Sequence, residues 1–155
     1  KTSAATFTRR NYELNNLPFD DRTFFKCDVL YFLKRAAGGR GRYDLIILDP
    51  PPRFARRHQA DFQMDKDYGK LLAACFKVAA PGALLMAGLN ASRVSDAQFE
   101  QIVAAQAEGE TGDVRCAVSS WIRPGIDFPA AEDRPAARFV LIEMKDSPSL
   151  TGFPS

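Results

Sequence analysis

The segment from Tyr43 to Phe54, YDLIILDPPPRF, constrains the fold of this sequence more than any other feature. Residues 45–48 are Leu, Ile, Ile and Leu. Such a run without polar alternation predicts a strand covered on both faces, as in a parallel sheet flanked by helices. Asp49 follows this strand, and active sites of such sheets lie at the carboxyl ends of the strands. The prolines at positions 50–52 cannot donate hydrogen bonds or continue a helix. The backbone after Asp49 is therefore held extended, and its carbonyls are free to accept hydrogen bonds from a ligand. The segment predicts a site for a planar, amino-bearing substrate.

Two other interpretations of Asp49 stay open at this point. An aspartate that ends an apolar strand commonly begins a turn or caps the next element, although a run of prolines is costly in a strand and favours a functional role. An apolar strand ending in an acid is also typical of the metal-coordinating strand of phosphate-loop NTPases. The sequence contains no GxxxxGK[ST] motif, so that interpretation would need a segment that is not here.

The composition predicts a single folded domain. The chain has 155 residues, 46% of them hydrophobic, and no apolar run long enough to span a membrane. Its formal net charge of +2 indicates a nucleic-acid partner only if the charge is clustered. Cys27, Cys75 and Cys116 lie far apart in mainly apolar stretches, which predicts reduced core thiols and a cytoplasmic protein. His58 is the single histidine, so no metal site is predicted.

Hydrophobic periodicity predicts alternating strands and helices. Helices are predicted over residues 3–15, after an N-cap at Asp28, over residues 65–80, and after a capping box formed by Ser95 and Gln98. Ala4, Phe7, Asn11 and Leu14 share one face of the first helix. The helix over residues 65–80 carries an apolar, core-facing stripe, formed by Tyr68, Leu71, Leu72, Cys75, Phe76 and Ala79. Strands are predicted at 23–27, from Tyr43, and at 83–87, 114–122 and 138–144. We expect residues 1–145 to form part of one domain and 146–155 to be a disordered tail.

These elements, in this order, resemble the class I S-adenosylmethionine-dependent methyltransferases. The motifs resemble those of the group that modifies cytosine C5 or guanine N7 in large-subunit ribosomal RNA. The matching pieces are RRNYELN, CDV, YDLIILDPP with a downstream Phe, DYGKLL, APGALL and GIDFP, spread over residues 2–145. The resemblance implies an α/β fold with a doubly wound, mostly parallel Rossmann-like sheet and a C-terminal antiparallel strand. It also implies S-adenosylmethionine as cofactor and RNA as partner.

The resemblance also implies roles for individual residues. Asp28 corresponds to the acid that accepts a hydrogen bond from the adenine amino group of the cofactor, with the Val29 backbone beside it. An N-cap carboxylate can serve both roles. Asp49, Pro50 and Pro51 correspond to the catalytic pocket for the target base, and Asp49 also borders the cofactor. Phe54 would stack on the base, or equally would anchor the core.

The sequence departs from the family pattern in several places. The first strand with its glycine-rich loop is absent, so we expect a fragment whose sheet is completed by a missing N-terminal segment or by a partner chain. The position of the family's ribose-binding acid falls at or before Lys1, which is not an acid. Ala91 stands where the cytosine-C5 enzymes have a nucleophilic cysteine. Asn90 makes this turn more similar to the guanine-N7 type, in which the base attacks directly.

A basic-aromatic patch follows the prolines. It contains Arg53, Arg56, Arg57, His58 and Lys66, interleaved with Phe54, Phe62 and Tyr68. Such a patch would follow an RNA backbone and stack a base, or it is simply a solvated loop. The predicted function is methyl transfer to a nucleic-acid base, with ribosomal RNA favoured. The alternative is a catalytically inactive, methyltransferase-like binding or scaffold module. The isolated chain is expected to be inactive.

Overall fold

The computed structural model describes residues 4–39, 41–51, 53–54, 62–90, 94–107, 115–122 and 137–145. Its helices are α1 (Ala4–Leu14), α2 (Val29–Ala37), α3 (Met64–Phe76) and α4 (Asp96–Ala107), with a short 3₁₀ helix at Asp21–Thr23. Its strands are β1 (Tyr43–Leu48), β2 (Arg53–Phe54), β3 (Phe62–Gln63), β4 (Ala79–Leu89), β5 (Arg115–Ile122) and β6 (Arg138–Lys145). Within these ranges, no helix is long and apolar enough to cross a membrane.

The main sheet has the strand order β1-β4-β6-β5. β1 and β4 are parallel, whereas β6 is antiparallel to both of its neighbours, β4 and β5. β5 therefore runs in the same direction as β1 and β4, and the carboxyl ends of these strands meet at one edge. This arrangement confirms the predicted mostly parallel sheet with a C-terminal antiparallel strand.

Helices α2, α3 and α4 pack side by side, and their buried side chains form the core together with those of one face of the sheet. Leu71, Leu72 and Phe76 of α3 are buried, which confirms the amphipathic stripe predicted for this helix. The capping box before α4 is also confirmed. The Ser95 backbone N–H donates to Gln98 Oε1 (2.8 Å), and the Gln98 backbone N–H donates to Ser95 Oγ (3.2 Å). Both ends of this interaction satisfy donors that the first helical turn would otherwise leave unpaired.

The two faces of the sheet differ in burial. Side chains in register across neighbouring strands point to the same face. Leu85 and Ile142 form such a pair and are fully buried beneath the helices. On the opposite face, Leu45 pairs with Leu84 and Ile47 pairs with Met86. We call this surface, formed by Leu45, Ile47, Leu84, Met86 and Leu141, the open face.

β1 therefore differs from its prediction of a strand covered on both faces. Leu45 and Ile47 are 57% and 62% exposed, while Leu48 on the helix side is buried. β1 is also an edge strand of the sheet, because it pairs only with β4 among the described strands. An exposed apolar edge strand of this kind is a surface onto which another strand can pair.

The predicted strand at residues 23–27 is not formed. Phe24 instead stacks on Phe19, with ring centroids 4.6 Å apart, and Tyr12 of α1 packs edge-on against both rings. A strand needs a neighbour for its backbone hydrogen bonds, and none of the described strands pairs with this segment. Phe7 and Leu14, on the predicted apolar face of α1, are mostly exposed.

The boundary between α3 and β4 also differs from the prediction. The helix ends at Phe76 rather than near residue 80, and the strand extends over Ala79–Leu89, so Pro81 and Gly82 lie inside it. The register with β1 shifts at this point, and Gly82 has a φ of 73°, which a residue with a side chain rarely adopts. Among the cysteines, Cys75 is buried as predicted, but Cys27 is exposed.

Candidate active site

The carboxyl edge of the sheet brings together residues that are far apart in the sequence. Leu48 is paired with Ala87 at the end of β1, which places Asp49 beside Gly88. Adjacent strands lie about 5 Å apart, so Asp49 and Asn90, which follows β4, lie at the same edge. Both residues are exposed, as is Pro51, whereas Pro50 is buried. The structure thus brings together the predicted base-pocket residues and leaves the Asp49 carboxylate accessible.

The backbone at Gly88 is held in a close-packed position. A Cβ atom at this residue would lie 2.8 Å from a ring carbon of Phe139 and 3.3 Å from the carbonyl oxygen of Leu48. The hydroxyl of Tyr68 donates to the Gly88 carbonyl at 2.8 Å in a buried site. Gly88 and its hydrogen bond from Tyr68 together hold the end of β4 in place beside Asp49 and just before Asn90.

Tyr68 is fully buried, which decides between its two predicted roles. It belongs to the core stripe of α3 and cannot stack on a base as a member of the basic-aromatic patch, so that part of the prediction is wrong. Burial raises the pKa of Tyr68, with smaller contributions from Cys75 and from the nearby charge of Asp49. The phenol therefore stays protonated as a donor to Gly88. The hydrogen bond to Gly88 was not predicted, since nothing in the sequence links residues 68 and 88.

Asp28 is the N-cap of α2, as the sequence predicts. Its backbone is extended (φ −64°, ψ 128°), and its side chain accepts from the backbone N–H of Tyr31 at 3.0 Å. Val29 begins the helix and packs against the core. A carboxylate with several lone pairs can cap a helix and accept from a further donor, so the geometry is compatible with an adenine contact. That contact stays a prediction.

The predicted RNA-binding residues are only partly described. Arg53 and Phe54 form β2, which pairs antiparallel with β3 just before α3, but their side chains lie outside the described part of the structure. Arg56, Arg57 and His58 also lie outside the described residues. Lys66 is exposed in the first turns of α3. The stacking role of Phe54 and the phosphate contacts of the arginines therefore stay predictions.

An ion pair that the sequence did not reveal lies further along the same edge. Arg138, at the start of β6, is only 6% exposed, and it donates to Asp96 Oδ1 and to the Val94 carbonyl, both at 2.7 Å. Since Arg138 lies about forty positions from Val94 and Asp96 in the sequence, only the folded structure reveals the contact. Within the described ranges no group of acidic, histidine or cysteine side chains is arranged to hold a metal ion.

Comparison with solved structures identifies the fold. The chain superimposes on SMU.776, a protein assigned as a methyltransferase and complexed with SAH, with a TM-score of 0.74 and 21% sequence identity. The match covers 91% of this chain and 37% of that protein. The fold is that of the S-adenosylmethionine-dependent methyltransferases. At this level of identity the likeness establishes the fold alone.

The proteins that this chain resembles in sequence carry more specific names than the solved structure. YwbD of Bacillus subtilis (strain 168), named as a ribosomal RNA large subunit methyltransferase, is 28% identical over 135 residues, which cover 87% of this chain. A ribosomal RNA large subunit methyltransferase of Deinococcus radiodurans is 34% identical over 94 residues, or 61% of this chain. The chain spans 33% and 23% of the lengths of these relatives. No protein-family model matches it.

Proposed function

We propose that this chain is part of an enzyme that transfers a methyl group from S-adenosylmethionine to a nucleic-acid base, with ribosomal RNA as the substrate. The observation that carries the proposal is the exposed Asp49 carboxylate beside Gly88 and Asn90 at the carboxyl edge of a methyltransferase sheet. The names of the sequence relatives support RNA as the substrate class. A ribosomal RNA substrate also fits the cytoplasmic location predicted from the sequence.

In the proposed mechanism the residues of this chain mainly position the reactants. Asp28 accepts from the adenine amino group, and the Val29 backbone lines the same side of the cofactor site. Asp49 and the carbonyls of Pro50 and Pro51 accept from the amino group of the target base and orient its plane. S-adenosylmethionine, when bound, supplies an electrophilic methyl group. A guanine-N7 target needs no proton removed before attack, so the enzyme gains most of its rate from holding the two partners in line.

Asn90 is proposed to line the base pocket without acting as a nucleophile. It is exposed directly after β4, so its amide can offer both a donor and an acceptor to a base edge. Arg53, Phe54, Arg56 and Arg57 would bind the RNA through phosphate contacts and base stacking.

We further propose that a segment outside this chain, from the same polypeptide or from a partner, pairs with β1 and covers the open face. Two observations support this proposal: among the described strands β1 pairs only with β4, and Leu45 and Ile47 are exposed. Phe7 and Leu14 of α1 offer further apolar surface to such a segment. This added strand would also complete the site for the methionine part of the cofactor.

Binding of S-adenosylmethionine tests this division of the site. Titration calorimetry on the isolated chain should show little heat, because Asp28 and Val29 contact only the adenine side. A dissociation constant of about 1 µM or lower would mean that the cofactor site is complete within this chain and that its placement here is wrong. If the larger protein containing β1 with its added strand also fails to bind, the inactive scaffold becomes the better interpretation.

A further inference from the structure

A pocket that the proposed chemistry does not use lies between α4 and the ends of β5 and β6. It is open to solvent, and its empty space of about 250 Å³ includes part of that solvent. Its apolar wall is formed by Phe99, Trp121 and Ile122, and its polar rim by Asp96, Glu100 and Arg138. The pocket thus combines an aromatic surface with charged groups.

The pocket lies at the same sheet edge as the candidate active site. Arg138 pairs with Leu89 at the end of β4, and Ile122 at the end of β5 pairs with Phe139. Three strand spacings separate β5 from β1 in the sheet order, which corresponds to about 14 Å. An extended ligand bound at Asp49 therefore reaches this pocket without leaving the edge.

The aromatic wall is packed against the core. Trp121 is 41% exposed, and its ring packs edge-to-face on Phe99 at a centroid distance of 5.5 Å. Phe99 is buried and packs in the same way on Tyr68, 5.6 Å away. A flat aromatic surface held in one orientation is a platform for stacking a planar ring, which every nucleobase provides.

The rim selects against phosphate and in favour of a base with hydrogen-bond donors. The charge of Arg138 is already paired with Asp96, at 2.7 Å. Glu100 is exposed and adds a negative charge at the pocket. A carboxylate repels phosphate but can accept two parallel hydrogen bonds. Guanine presents an N1–H and an amino group side by side on its Watson–Crick edge and is the matching base.

We propose that this pocket binds an unpaired guanine base of the RNA, separate from the base that is methylated. The proposal rests on the function proposed above. Stacked nucleotides rise about 3.4 Å each, so the roughly 14 Å to β1 places this guanine within about four nucleotides of the target. Trp121 stacks on the base and Glu100 accepts from its Watson–Crick edge, which makes the pocket a determinant of sequence specificity.

Tryptophan fluorescence tests the pocket directly, because Trp121 is the single tryptophan of the chain. Guanosine added to the protein should quench this fluorescence in a saturable way, and uridine, which lacks an amino group, should quench it much less. Glu100→Gln should weaken guanosine binding about tenfold, as expected for loss of a bidentate contact to a base. Glu143→Gln is the matched control, since Glu143 is exposed near the opposite end of β6, and it should change nothing.

The proposal would be overturned if guanosine and uridine quenched equally and Glu100→Gln left the quenching unchanged. It would also be overturned if the nucleosides quenched the protein no more than they quench free tryptophan amide. Saturable quenching by a lysine-rich peptide but not by nucleosides would assign the pocket to a protein partner instead. The assay needs neither S-adenosylmethionine nor methyl transfer. A failure here is therefore distinguishable from a failure of the proposed enzyme activity.

Discussion

Replacing Ile47 by alanine tests whether β1 is an uncovered edge in this chain. Ile47 is 62% exposed, so roughly two-fifths of its side chain is buried. Full burial of an isoleucine contributes about 1.5–3 kcal/mol, so the substitution should cost about 1 kcal/mol here. The lower strand propensity of alanine raises the expected total to no more than about 1.5 kcal/mol. The same substitution at a buried core position would cost about 2–5 kcal/mol.

Leu48→Ala is the matched comparison, because Leu48 is the next residue of the same strand and is 7% exposed. Its loss should leave a cavity and cost about 2–5 kcal/mol. Urea unfolding followed by circular dichroism measures both values in the isolated chain. Equal costs for the two variants would refute the placement of Ile47 on the open face.

The same pair of variants tests the proposed covering segment. In the larger protein or complex that supplies a strand beside β1, Ile47 becomes buried, and Ile47→Ala should then cost about 2–5 kcal/mol, like Leu48→Ala. If Ile47→Ala remains as mild there as in the isolated chain, the open face is not where the additional segment packs.

Two further predictions concern the buried support of the site. Tyr68→Phe removes the donor to the Gly88 carbonyl and should lower the free energy of unfolding by about 1–2 kcal/mol in urea titrations; unchanged stability would mean that this hydrogen bond contributes nothing. Burial raises the pKa of the Cys75 thiol from 9.0 to about 12. The folded state therefore holds this proton more tightly than the unfolded chain, and stability should fall as the pH rises from about 9 to 12. The free energy of unfolding of Cys75→Ala should fall less steeply over that range. A slope identical to that of the wild type would contradict the raised pKa of Cys75.

The local patterns of the sequence predicted most of the regular elements. The capping box at Ser95, the N-cap at Asp28 and the stripe on α3 all rest on residues within a few positions of one another, so the local sequence is enough to predict them. The same holds for the bounds of β5 and β6, which differ from the prediction by at most one residue.

The errors arise where structure depends on a distant neighbour. The segment around Phe24 has the composition of a strand, but no described strand pairs with it. Ile47 has the apolar character of a buried residue, and its exposure follows from its position on the open face of the sheet. The Arg138 ion pair and the Tyr68 hydrogen bond join residues that only tertiary packing brings together, so no periodicity in the sequence encodes them.

Methyl transfer by an Asp49 variant tests the central claim most directly. Asp49→Ala should abolish transfer of a labelled methyl group from S-adenosylmethionine to unmodified ribosomal RNA in the complete protein. Its melting temperature should stay close to that of the wild type, because the side chain is exposed and contributes little packing. Asp44→Ala is the control and should remain active, because Asp44 is an exposed acid of β1 that lies away from the carboxyl edge. Full activity of Asp49→Ala, or its loss through unfolding, would contradict a positioning role for this carboxylate at the target base.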